Sequence, residues 1–521
     1  MNEEIEEYYE ELYRLYIDEN QPLERRYRQL RESLERVVRE KIQGNSLQTT
    51  DLAARINYVA TQYGLDLKEQ NQLHTFRLTS NDILNHRKSP VKEEFLCDLR
   101  AVAYAYRKMF AQDIPLKLFS VLPKQEIASS GKKEKMEYIR RIRVCFDYAD
   151  DTYLYVHPVD VTADEPIRVV YNKPGINHEF EETIKELWRY AQLNLLDVSV
   201  DRDGIYTPSF IVLEPDYLID ISSLAECYKD YGSHPANYFL SRLVPIDNAR
   251  PLLLGNIANL FLDEWIHAGE EEPDYIDCMK KAFRQYPIEL AACAELRDPS
   301  KEKEFAKDCR MHFEHIRDVV QHTFLEPGYN LDKKEAVLEP SYICEALGIQ
   351  GRLDYMQRDM SSFIEMKSGK ADEFSMQGKV EPKENNKVQM LLYMAVLEYS
   401  MGQDRRRMHP YLLYTRYPLL YPARASWAQV RRVINLRNRI VAAEYGVQFH
   451  NHPDFTRNLL AQINPEVVNE RKLSGRFWEQ YLKPSISRFR EKLSALEPLE
   501  QAYFYTLYNF ITKELYTSKS G

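Results

Sequence analysis

No apolar run in this 521-residue chain approaches the ~18–20 residues needed to cross a bilayer, so the sequence predicts no membrane span. The opening stretch, MNEEIEEYYEELYRLY, lacks both the basic start and the apolar middle of a secretory signal. Cysteine is sparse: seven residues (97, 145, 227, 278, 293, 309 and 344), an odd number with no CxxC. That argues against a disulfide framework and fits buried thiols in a reducing cytoplasm. General positive charge is missing too. A formal net charge of −10 excludes a basic nucleic-acid coat and leaves room only for a locally cationic groove. There is no G-x-x-x-x-G-K-[ST], hence no phosphate loop of that kind, and no internal repeat or low-complexity tract. SSGKKEK (129–135) lacks the preceding glycine and reads as an exposed basic loop.

What is present is a globular composition, 44% apolar, long enough for several domains of ~100–200 residues. The patterning predicts an α+β protein in four parts. Residues 1–112 read as a helical region, with two helices broken at Asn20-Gln21-Pro22. Leu23, Tyr27, Leu30, Leu34 and Val37 recur at helical spacing, either as a seam docked on its own domain or as a partner-binding coiled coil. Residues 113–215 read as a small mixed domain. There Ile142, Val144, Phe146 and Tyr148 alternate with polar neighbours before ADDT turns the chain. Strands and helices alternate over 216–445. Residues 446–521 read as helical and stop without a closing feature, as if cut from something longer.

The chemistry concentrates in GRLDYMQRDMSSFIEMKSGK, 351–370. Two short strands, 351–356 and 363–367, flank a polar loop. A symmetric hairpin sets Asp354 opposite Glu365 and Met356 opposite Phe363. Glu365 and Lys367 share a face, and Met366 points to the core. Two close carboxylates repel unless a proton or cation lies between them. A hard divalent ion with retained waters answers that need, and with a nearby lysine it suits phosphodiester hydrolysis. Spacing alone fits an ordinary surface salt bridge equally well. Further on, ENNKVQMLLYMAVLEY (384–399) is helical. Gln389 and Tyr393 share one face, while Leu392 and Val396 serve the core.

Taken in order, Asp354, Glu365-Met366-Lys367 and Gln389-x-x-x-Tyr393 resemble the PD-(D/E)XK nuclease superfamily, and its RecB-like branch in particular. Upstream, YLIDISSLAECYKDYGSHPANYFLSRL (217–243) is similar to the family's opening strand and helix. LLLGNIANLFLDEWI (252–266) is similar to its LG-x-x-x-H helix, and VLEPSYICEALGIQGRLDYM to the approach to the metal-binding aspartate. The resemblance spans roughly 216–420. It implies a restriction-endonuclease-like core with a mixed sheet flanked by helices. It also implies Asp354, Glu365 and the Met366 carbonyl as ligands of Mg²⁺ or Mn²⁺, Lys367 as catalytic lysine, and Gln389 and Tyr393 in support. The family's histidine is replaced by Asn259, a poorer Mn²⁺ ligand but tolerable for Mg²⁺, with Glu339 as an alternative oxygen donor. Relatives with an iron–sulfur cluster use four cysteines. Here SHP (233–235) stands at the first position and no cysteine follows Cys344, so no such cluster is expected. The implied activity is metal-dependent cleavage of single-stranded or frayed DNA in repair, recombination or defence, with a helicase module in cis or in trans. The rival expectation is an inactive nucleic-acid-binding scaffold.

Residues 404–440 hold nine arginines and one acid, interleaved with Tyr411, Tyr414, Tyr417, Tyr421 and Trp427. Arginine forks suit phosphates and aromatic faces stack bases, which nominates Arg405, Arg406, Arg407, Arg431 and Arg432 for DNA contact. The competing reading is a charged helix with tyrosines in a core strand. CRMHFEH (309–315) offers Cys309, His312 and His315, which fan around a helix and lack a fourth ligand, so surface histidines are expected rather than zinc.

Overall fold

The computed structural model describes residues 3–42, 52–86, 88–123, 137–159, 166–201, 203–244, 250–329, 331–374, 379–423 and 426–520. The basic loop read at 129–135 lies outside them. The described residues are about 58% helical and 16% strand, a mixed α+β arrangement. It divides into two compact units, Met1–Glu134 and Lys135–Gly521. No helix among the described residues is long and apolar enough to cross a membrane.

The smaller unit is a helical bundle. Its helices include Glu3–Ile17, Leu23–Lys41, Leu52–Gln62, Leu67–Leu84 and Lys92–Phe110. Pro22 sits at the cap of the second helix, where its missing N–H costs nothing. Asp66 and Glu69 form a reciprocal capping box on the fourth. The seam Tyr27, Leu30, Leu34 and Val37 is fully buried within this unit, which corrects the coiled-coil alternative. Tyr27 also donates to Asp98 across the bundle at 3.0 Å.

The larger unit begins with β1 (Glu137–Ala149), β2 (Tyr153–Pro158), β3 (Ile167–Val170), β4 (Gln192–Val200), β5 (Ile205–Thr207) and β6 (Phe210–Leu213). Pairing runs β1-β2-β3-β5-β4 and returns from β4 to β1, closing a five-stranded barrel with β6 added on β4. Only the β3–β5 pair is parallel. The barrel does not form the separate 113–215 domain expected from sequence. The unit boundary falls at 134/135, and the barrel's buried residues merge with those of the rest of the larger unit.

Next come β7 (Ile219–Asp220), the Arg250–His267 helix, β8 (Ala336–Leu338), β9 (Ser341–Cys344), β10 (Ile349–Arg352), β11 (Tyr355–Gln357) and β12 (Ser362–Lys367). A hairpin of β13 (Asp372–Phe374) and β14 (Lys379–Glu381) precedes the Glu384–Met401 helix, β15 (His409–Tyr414) and β16 (Leu419–Pro422). One sheet is ordered β7-β10-β9, and a second β16-β15-β12-β11-β8. In the second, β12 runs antiparallel to β11 and parallel to β15. Period-two alternation divides its side chains between two helical layers. Met356, Phe363, Leu412 and Tyr414 join the core that holds the Glu384–Met401 helix. Tyr355, Ile364, Met366 and Leu413 join the core that holds the Arg250–His267 helix. The expected boundary at 445/446 falls inside one continuous helix, Trp427–His450, because its apolar face is buried along both halves.

Candidate active site

Asp354 occupies the joint between two sheets. The stretch read as one strand, 351–356, breaks at Leu353–Asp354, where the chain leaves β10 and enters β11. Two hydrogen bonds fix the break. Asp354 Oδ2 accepts the Met366 N–H at 2.6 Å, and Tyr393 donates its hydroxyl to the Arg352 carbonyl at 2.6 Å. Beyond the joint the expected register holds, with Met356 opposite Phe363 and Tyr355 opposite Ile364. Asp354 and Glu365 therefore continue the same pairing from just outside the ladder.

Glu365, Lys367 and Gln389 form a closed triangle. Lys367 Nζ donates to Glu365 Oε1 at 2.9 Å and to Gln389 Oε1 at 2.8 Å. Gln389 Nε2 donates to the same Glu365 oxygen at 2.5 Å. Glu365 is only 4% exposed, and its second oxygen, Oε2, is buried with no hydrogen-bond partner among the described residues. Burial, reinforced by Asp354, pushes Glu365 up to about 8. Asp354 is raised as well, by burial above all, against the hydrogen bond from Met366 and the charge of Lys367. Burial works to lower the Lys367 pKa, but Glu365 outweighs it and the ammonium is held above its ordinary value. Two half-satisfied carboxylates around one cation leave negative charge that a further cation would relieve.

Donors at the site fit a hard ion that keeps much of its water. Asp354 and the unpartnered Glu365 oxygen supply the charge. Among the described residues no three His, Cys, Asp or Glu side chains converge as a ready-made ligand set. Asn259 is half-buried in the middle of the Arg250–His267 helix. Its helical neighbours one turn either way flank the site. A Cβ on Gly255 would lie 3.4 Å from the Ser368 hydroxyl, and the Asp263 carboxyl feels Glu339 and Asp354.

Asp263 and Glu226 carried no recognisable sequence signal, whereas Glu339 is the alternative oxygen donor named from the sequence. Asp263 is pushed up to about 6 by burial, then by Glu339 and Asp354. Its four-residue step from Asn259 was the only clue. Glu339 pairs with Arg352 at 3.2 Å, takes the Asp354 carbonyl on its N–H at 3.1 Å, and sits at φ +50. Glu226 acts electrostatically on Lys367 from a distant stretch of chain and bonds Asn385 at 3.1 Å.

No family model matches the chain, and no curated protein matches it.

The arginine-rich segment disperses. Arg431 is buried in an ion pair with Glu179 at 3.0 Å and also donates to the Gly175 carbonyl, so it is no phosphate contact. Arg405 pairs with Glu398 at 3.1 Å and lies 4.4 Å over Trp427. Arg406 is held by Asp404 at 2.8 Å. Arg407 and Arg432 remain exposed. Arg437 is wholly buried and donates to the carbonyls of Gly348, Leu213, Glu214 and Tyr217. Tyr411 and Tyr414 lie in the core of β15, and Tyr417, Tyr421 and Trp427 pack against it, so this is no stacking surface. Burial wins because Tyr411 and Tyr414 sit on the interior strand β15, Tyr421 on β16 beside it, and Trp427 on the helix that follows. His312 is likewise buried, not on the helix surface, and burial lowers it to about 4. His315 bonds the Thr415 carbonyl at 3.0 Å.

Proposed function

We propose that the chain is a Mg²⁺- or Mn²⁺-dependent nuclease of the RecB-like PD-(D/E)XK type, acting on single-stranded or frayed DNA. The observation that carries this reading is the Glu365–Lys367–Gln389 triangle beside Asp354, with one Glu365 oxygen left unpartnered. The order of elements supports it. A helix precedes the β8-β11-β12 meander, and a crossover helix carrying Gln389 and Tyr393 leads to a parallel β15.

Asp354 and Glu365 would hold the ion, with the Met366 carbonyl as the third protein oxygen that the family resemblance implies. When bound, it would acidify water and polarise the scissile phosphate. Lys367 keeps its proton beside the reacting phosphate and offsets charge developing there. Gln389 accepts from Lys367 and donates to Glu365, which fixes both side chains. Tyr393 anchors the Arg352 carbonyl and so holds Asp354 at the sheet joint. A helicase module in cis or in trans would supply opened strands.

The inactive-scaffold reading has its own support in Asn259 and in the lack, among the described residues, of a third converging acidic donor. Labelled single-stranded DNA incubated with the pure chain and Mn²⁺ separates the two. Cleavage lost in Asp354→Ala and in Lys367→Ala supports the enzyme. Binding without cleavage, restored to cleavage by Asn259→His, supports a fold that has shed its metal. Binding without cleavage in both the wild type and Asn259→His leaves the scaffold.

A further inference from the structure

We propose that Lys472, Arg476, Phe477 and Tyr481, with Arg432 nearby, form the track that delivers single-stranded DNA to the Asp354–Glu365–Lys367 site. This rests on the nuclease reading above and moves its substrate surface away from residues 404–421.

Two large rings stand in solvent on this stretch. Phe477 is 59% and Tyr481 63% exposed, four residues apart on one helical face, with centroids 5.7 Å apart. The turn Trp478–Leu482 is π-helical, a distortion that recurs at functional sites. Lys472 and Arg476 have no acidic partner among the described residues. Arg476 is oriented only by the Gln480 amide oxygen at 2.9 Å. The neighbouring acids are engaged: Glu479 by Lys483 at 3.0 Å, and Glu470 by the Ser233 N–H at 2.7 Å. Unpaired cations beside exposed rings match a strand that offers phosphates and unstacked bases.

The track is fastened to the mouth of the site. Trp478 is buried against Tyr231, with centroids 5.8 Å apart. Arg471 gives its N–H to the Tyr231 carbonyl and pairs its guanidinium with Glu384. Glu384 opens the helix that carries Gln389, five residues or ~7–8 Å along its axis. The next residue, Asn385, holds Glu226, whose charge reaches Lys367. The Tyr228 hydroxyl feels the charges of both Glu384 and Arg432. The barrel is a weaker candidate, although five-stranded Greek-key barrels can present strands two and three to oligonucleotides. Its outer tyrosines, Tyr148 and Tyr155, lie beside Asp150, whose carboxylate accepts the Tyr155 hydroxyl and repels phosphate.

Fluorescence anisotropy of the full chain with labelled oligo-dT in EDTA, where no strand is cut, tests this. Phe477→Ala with Tyr481→Ala should weaken binding about tenfold or more, and Phe477→Tyr should keep it. Lys472→Gln and Arg476→Gln should each flatten the salt dependence by ~0.7 in log–log slope. Circular dichroism should give the ring variants an unchanged melting midpoint. Unaltered binding by the double ring variant overturns the track. So does equal affinity for blunt duplex, or a ring effect confined to self-association in light scattering. If Mn²⁺-dependent cleavage persists with the rings removed, the track fails and the nuclease reading stands. If the rings are needed for binding but nothing is cut, the nuclease reading fails and the track stands.

Discussion

Replacing Glu365 by glutamine should stabilise the metal-free protein while destroying its response to Mg²⁺. In the unfolded chain this carboxyl ionises near its ordinary 4.5. In the folded chain burial and Asp354 hold it at about 8. Between those values the folded state binds more protons than the unfolded one, so stability falls as pH rises through that window and levels off above it. The whole interval corresponds to roughly 4–5 kcal/mol at about 1.4 kcal/mol per unit. Asp354 takes up part of the same protonation, so about 2 kcal/mol is expected from Glu365 itself. Glu365→Gln should flatten the pH dependence between 5 and 8 and gain that amount at pH 8. Saturating Mg²⁺, at ~100 times its Kd, should return ~2.7 kcal/mol to the wild type and nothing to the variant. Urea unfolding followed by tryptophan fluorescence reads the larger unit alone, because all four tryptophans (188, 265, 427 and 478) lie within it. A variant that is less stable at every pH, or that gains as much from Mg²⁺ as the wild type, would refute the reasoning.

Arg437→Met should cost the larger unit about 3 kcal/mol or more in urea unfolding, because four buried carbonyls lose their donor together. A loss under about 1 kcal/mol would contradict that role. Arg431→Gln strands Glu179 and should destabilise by ~3 kcal/mol while leaving the salt dependence of DNA binding unchanged. Arg432→Gln should do the reverse, flattening the salt slope by ~0.7 at constant stability. In the smaller unit, burial raises Asp98 from 3.8 to about 7 despite the hydrogen bond from Tyr27. The folded form again holds the extra proton, so hydrogen-exchange protection of the Lys92–Phe110 helix should fall from pH 4 to 7, and Asp98→Asn should abolish that slope.

The candidate site was legible because its parts obey short periods. Glu365 and Lys367 share a face at a two-residue step, and Gln389 and Tyr393 at four, so local geometry brings each pair together whatever surrounds them. The hairpin register followed from the length of the loop between 356 and 363. The arginines of 404–440 misled because composition carries no direction. Arg432 and Arg431 are adjacent in sequence, yet a helix turns one to solvent and the other onto Glu179. Asp263 and Glu226 escaped notice because each reaches the site from a different part of the chain.

By itself the sequence determined which segments coil or extend, and which side chains within a few residues share a face. Backbone periodicity is a local property of the peptide unit. Only the tertiary structure decided that Asp354 stands at a joint between sheets, that Glu365 keeps an unpartnered oxygen, and that most of the arginines are spoken for. Desolvation and ion pairing depend on what packs from afar, and 3.6- and 2-residue repeats hold no record of it.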